Sequence, residues 1–129
     1  MPITTPIYAA ILAIIFVALS LRIIKTRRQN NISLGDAANT KLQRAIRAQG
    51  NFAEYVPLAL ILLGYVEILQ YPQALLHALA ASLVLGRLLH AWGISNEKEN
   101  FKFRVAGMML TFVVLLGSSA LILLQKILL

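Results

Sequence analysis

A chain of 129 residues is long enough for one domain, and 59% hydrophobic against 13% charged residues lies outside the ordinary soluble range. The net charge of +7 does not point to nucleic acid, because Lys and Arg gather at the ends of apolar runs and are not interleaved with stacking aromatics on a polar face. With no cysteine, disulfides, protein thiolate nucleophiles and cysteine-ligated metals are excluded.

The first apolar run, Ile3 to Ile24, satisfies the roughly 20 helical residues needed to cross about 30 Å of hydrocarbon. It is a poor signal peptide, since Arg22, Lys25, Arg27 and Arg28 follow the run instead of preceding it. In the next segment "ISLGDAANT" reads as a turn, and Thr40 with Gln43 three residues on fits a capping box that starts a second helix. That helix carries the span Phe52 to Leu69, and Pro57 need not break it, because membrane helices tolerate proline where neighbours repair the lost hydrogen bond.

An uncharged "QYPQ" connection leads to the third span, Ala74 to Trp92, and "GISNEKENFKFR" leads to the fourth, Val105 to Leu124. Lys and Arg concentrate in the first and third connections, so positive-inside counting predicts four spans with both termini outside and the two larger loops in the cytoplasm. The fold class expected is therefore an all-α integral membrane domain, a four-helix bundle over residues 1–129. The small-residue patches "ALAAS" in span three and "GSSA" in span four suit close helix approach.

On helix two, Arg44, Arg47, Asn51 and Glu54 follow steps of three, four and three, which puts them within an arc of about 80°. Tyr55 lies at the edge of this polar stripe and Gln49 points elsewhere. A carboxylate at mid-span costs about 2.5 to 3.5 kcal/mol, less near the interface, so Glu54 needs a partner. Arg87 of span three, on one face with His90 and Ile94, sits at the matching depth, and Arg104 at the start of span four can reach it. Two readings follow. Glu54 and Arg87 form an ion pair that sets bundle register, with Arg47 and Arg104 reaching lipid phosphates; or three arginines and a histidine around one carboxylate receive an anionic ligand.

Other chemistry has less support. His77 and His90 are thirteen residues apart on one helix, about 20 Å, too far to share a metal, so no metal site is expected. His77 reads as a satisfied histidine near the outer surface and Glu67 as interfacial. No glycine-rich phosphate loop occurs, and Asp36, the sole aspartate, lies in a turn, which leaves no Ser/His/Asp arrangement.

The run Arg44, Arg47, Gln49, Asn51, Glu54, Tyr55 and Pro57 resembles the second-helix signature of the MAPEG family, the membrane-associated proteins of eicosanoid and glutathione metabolism. "GRLLH" in span three and "FKFRVAG" at the start of span four resemble its matching segments, and the likeness covers essentially the whole chain. It implies a homotrimer with glutathione as co-substrate at each subunit interface, open to the cytoplasmic side. By position, Arg47, Asn51, Glu54 and Tyr55 would hold the tripeptide, with Gln49 close by, Arg27 as a further contact, and Arg87 and His90 completing the site. Arg104 would stabilise the glutathione thiolate and is the candidate catalytic residue.

Ile94 stands where several eukaryotic catalysts carry tyrosine, His90 where the leukotriene synthase type has tyrosine, and Val105 where the prostaglandin synthase type has a hydroxyl. Prostaglandin or leukotriene specificity is therefore not implied, and the short loops resemble a bacterial member of an inner membrane. The function expected is a glutathione-dependent transferase or peroxidase acting on small lipophilic electrophiles, in contact with membrane lipid and without nucleic acid. The alternative is a non-catalytic lipid-binding or scaffold protein of the same fold. A small multidrug exporter would need a carboxylate in the first span, which has none.

Overall fold

A computed structural model describes residues 2–96, 98 and 100–128, apart from the side chains of residues 126 and 128. Four antiparallel helices follow one another: α1 (Thr4–Gln29), α2 (Thr40–Ile68), α3 (Gln73–Ser95) and α4 (Phe101–Leu128). Each is long and apolar enough to cross a membrane. The expected spans lie within or along these helices, and the helices themselves run further, α1 and α2 continuing into basic sequence that hydropathy alone does not assign.

The start of α2 differs from expectation by one residue. Asn39 is the cap, its Oδ1 accepting the backbone N–H of Leu42 at 2.9 Å, so Thr40 is the first helical residue and Gln43 falls too late for a capping box. The turn before it holds Asn31, Gly35, Ala37 and Ala38 at positive φ. For the two alanines this is costly, and Asp36 Oδ1 steadies them by accepting the Ala38 N–H at 2.9 Å. Pro57 lies inside α2 without interrupting it, as expected.

On α2 the core residues Phe52, Val56, Ala59, Leu63 and Val66 recur at steps of four and three, which makes one apolar seam along the helix. On α3 the same spacing gives Leu76, Ala80, Leu83, Arg87, His90 and Ile94, all buried. That stripe is apolar at the end carrying the α2–α3 turn and becomes polar at the basic end. Its chemistry changes where the candidate site lies.

Glycines bring α3 and α4 together at this basic end. A Cβ at Gly107 would fall against the Gly86 carbonyl oxygen and 2.6 Å from the His90 nitrogen; one at Gly93 would lie 2.7 Å from the Arg104 nitrogen. Without side chains at these points the two backbones can touch. The small patches expected to do this play a lesser part: Ala80 and Ser118 are buried, but Gly117 meets only a Leu79 methyl at 3.8 Å.

At the opposite end, Glu67 lies one residue from the end of α2, and its side chain is buried. Its Oε1 accepts the N–H groups of Ile3 and Thr4, both at 2.6 Å, and its Oε2 accepts that of Thr5 at 2.8 Å. The first turn of a helix leaves backbone donors without internal partners, and within lipid each needs another acceptor. A carboxylate from α2 therefore caps α1, whose Pro6 has no N–H to satisfy. Beside it, Tyr8 Oη and His77 Nδ1 lie 3.0 Å apart, which satisfies that histidine.

Candidate functional site

The polar end of the bundle is layered. Deepest is Arg87, 1% exposed, whose Nη1 donates to Asn51 Oδ1 at 2.6 Å and whose Nη2 reaches Gly107 O and Met108 Sδ, each at 3.3 Å. Its guanidinium carbon lies 5.9 Å from the centre of the Tyr55 ring, and that ring lies 5.8 Å from the ring of Phe112 on α4. Arg87 Nε is buried with no hydrogen-bond partner among the described residues. One buried guanidinium thus joins α2, α3 and α4.

This corrects the expected Glu54–Arg87 ion pair. Glu54 Oε1 lies 3.3 Å from Arg47 Nη1, a pair on one helix with both side chains more than half exposed. Arg87 instead takes an amide from Asn51, one turn before Glu54 on the same face. The stripe lies where its spacing places it, but rotation of α3 against α2 decides which of its members meets the arginine.

Above this layer, Thr40, Gln43, Arg44, Arg47, Ile94 and Arg104 line an open recess of about 230 Å³. Arginines from α2 and α4 meet here within one chain. Arg44 also donates through Nη1 to the Ile94 carbonyl at 3.3 Å, and Arg22 of α1 donates to the Ser95 carbonyl at 3.0 Å. These cations satisfy carbonyls left over at the C-terminus of α3, the negative end of its dipole. In the sequence Arg22 is legible only as a basic flank, since nothing local announces a contact 73 residues away.

The remaining expected residues stand apart from the recess. His90 is buried at the close approach to Gly107. Gln49 is half-buried on another face of α2. Arg27 donates through Nη1 to the Gly35 carbonyl at 2.6 Å and lines a separate cleft at the end of α1. Among the described residues no group of three or more His, Asp or Glu side chains could hold a metal.

An open recess with several guanidinium groups and, among the described residues, the exposed Glu54 carboxylate paired with Arg47 suits an anionic ligand that also carries an ammonium group. Arginine binds carboxylates through paired N–H donors and keeps its charge at any physiological pH. One turn further along α2 from Arg47, the buried Asn51 is bound to Arg87.

Comparison with known proteins agrees with this architecture. The sequence matches the MAPEG family over residues 5–124. It is 32% identical over 110 residues to the inner membrane protein YecN of Escherichia coli strain K12 and to the YecN of strain O6:H1, an overlap of 85% of this chain and 82% of theirs. With four helices able to cross a bilayer, the protein is a multi-pass integral membrane protein of the bacterial inner membrane. Helix number, motif order and these matches together show that the chain belongs to the MAPEG family.

Proposed function

We propose that the protein is a glutathione-dependent transferase or peroxidase acting on lipophilic electrophiles, working as a homotrimer in which a neighbouring protomer closes each chain's open recess. The observation that supports this reading is the recess in which Arg47 and Arg104 meet, one helical turn along α2 from the buried Asn51–Arg87 pair. Arg47, Asn51, Glu54 and Tyr55 hold the tripeptide, the arginines taking its carboxylates and Glu54 its ammonium, while Gln49 lies on another face of α2. Arg87 and His90, both buried, act by holding Asn51 and the α3–α4 contact in place. Arg27 lines a separate cleft, where it is bound to the Gly35 carbonyl, and takes no part in this recess.

Arg104 supplies the chemistry. A thiol with an ordinary pKa near 8.5 is mostly protonated at neutral pH, and each unit of depression corresponds to about 1.36 kcal/mol of preferential interaction with the thiolate. A close guanidinium provides that interaction. The sulfur then forms a bond to an electrophilic carbon delivered from the bilayer, the thiol proton having gone to water and the leaving group departing with its electron pair. Conjugation of glutathione to a dinitrophenyl halide in proteoliposomes tests this: Arg104→Ala should lose at least about tenfold in kcat/KM, consistent with removal of one charge stabiliser. Unchanged turnover would contradict it.

A second reading, lipid binding without turnover, has its own support in an apolar groove of about 220 Å³ between α1 and α2, lined among others by Leu12, Phe16, Phe52, Val56 and Pro57. In that case the function survives Arg104→Ala and fails when Ala13→Phe fills the groove.

A further inference from the structure

The cleft at the end of α1 lies outside the glutathione reading. Ile24, Arg27, Arg28, Asn31, Ile32 and Ser33 line it, and its volume is about 430 Å³. Among the described residues no carboxylate contributes to the lining; the nearest in sequence, Asp36, is engaged with the Ala38 N–H. Arg27 is clipped to the Gly35 carbonyl, which fixes one wall. Arg28, Asn31 and Ser33 are exposed.

Depth gives the cleft its meaning. A rise of 1.5 Å per residue carries α1 about 30 Å from Thr4 to Ile24, the thickness of the hydrocarbon layer. Ile24 is thus at the acyl boundary, and Arg27 and Arg28 are at the level of lipid phosphates. Arg28 stands one turn beyond Ile24 on the same face, so the cleft is apolar where acyl chains begin and offers guanidinium, amide and hydroxyl donors where headgroups sit. A soluble anion would use only the upper half.

We infer that this cleft binds the phosphate of an anionic phospholipid, with Ile24 and Ile32 against its glycerol and upper acyl carbons and Arg28, Asn31 and Ser33 on its phosphate oxygens. The site anchors the α1–α2 loop to the bilayer surface. Its ligand chemistry, a phosphate monoanion on an apolar stem, separates it from the carboxylate-binding recess on α2 and α4.

The test uses the full-length protein in mild detergent, titrated with phosphatidylglycerol, phosphatidylcholine or inorganic phosphate, with bound lipid counted by native mass spectrometry. One phosphatidylglycerol per protomer should bind saturably and phosphatidylcholine should not. Arg28→Gln, and independently Ser33→Asp, should weaken that binding about tenfold, the scale of removing one charge-assisted hydrogen bond to phosphate near an anionic surface. Lys98→Gln, which removes an equal charge from the other basic loop, should leave it unchanged. Equal weakening in Lys98→Gln would reduce the effect to diffuse surface charge, unaltered binding in Arg28→Gln would remove the site, and displacement of the lipid by millimolar inorganic phosphate would reassign it to a free anion. Each of these overturns the inference.

Discussion

Arg87 of α3 donates its Nη1 to Asn51 Oδ1 of α2 at 2.6 Å, a bond between two buried side chains whose residues are 36 apart in sequence. No carboxylate shares it among the described residues. A buried guanidinium held by an amide, a carbonyl and a sulfur depends strongly on each partner, because removing one leaves a charge undercompensated where water cannot replace it.

Asn51→Leu should accordingly destabilise the protein by about 2–3 kcal/mol, the scale of a buried hydrogen bond to a charged group. The double variant Asn51→Leu with Arg87→Met should recover much of that stability, since both polar partners are gone. Thermal unfolding in detergent checks this, and additive destabilisation in the double variant would show that the bond is not the coupling.

The α3–α4 contact makes a second prediction. Gly107→Ala places a Cβ against the Gly86 carbonyl and the His90 backbone, neither of which can rotate away, and overpacking of this kind costs typically ~1–3 kcal/mol. Gly64→Ala is the control: nothing lies within 4 Å of its added Cβ, so its effect on the melting temperature should be nil or slightly stabilising.

Gly93→Ala acts differently, because its Cβ would meet the Arg104 nitrogen at 2.7 Å and the Asn100 carbonyl oxygen at 2.9 Å. The start of α4 must shift, and Arg104 with it. The expected outcome is a folded protein whose bound glutathione titrates closer to the ordinary thiol value, read from thiolate absorbance against pH. A thiol pKa equal to that of the parent protein would show that Gly93 does not set the position of Arg104.

Glu67→Ala removes the acceptor for three N–H groups of α1. Loss of a helix cap costs about 0.5–2 kcal/mol, and hydrogen exchange at Thr4 and Thr5 should accelerate. Glutathione affinity should not move, since thirteen helical residues, about 20 Å, separate Glu67 from Glu54. Unchanged exchange at these amides would contradict the cap.

The four helices are legible in the sequence because apolar runs of this length have few alternatives, and the polar stripe is legible because residues three and four apart on a helix must share a face. Which stripe member meets Arg87 is not. That choice depends on the rotation of α3 about its axis and on a backbone contact at Gly86 and Gly107, neither of which leaves a periodic mark. Glu67 escapes a sequence reading for a related reason: its partners are backbone amides of another helix, and backbone groups carry no sequence signature. The cap at Asn39 is ambiguous because Asn and Thr are both good caps side by side, and only the backbone at Asn39, extended where Thr40 is already helical, separates them. Within the recess, Arg47 and Arg104 are readable from their motifs, while the tie from Arg22 to the end of α3 spans too much sequence to be read from either segment.

Calorimetric titration of glutathione into the detergent-purified protein, with Arg47→Ala and Arg104→Ala alongside and thiolate absorbance followed against pH, tests the central claim most directly. Saturable binding that is lost in Arg47→Ala, together with a depressed thiol pKa that returns to its ordinary value in Arg104→Ala, is the result expected of a glutathione site. No binding by the parent protein would contradict it and leave the α2 stripe as a set of structural ion pairs.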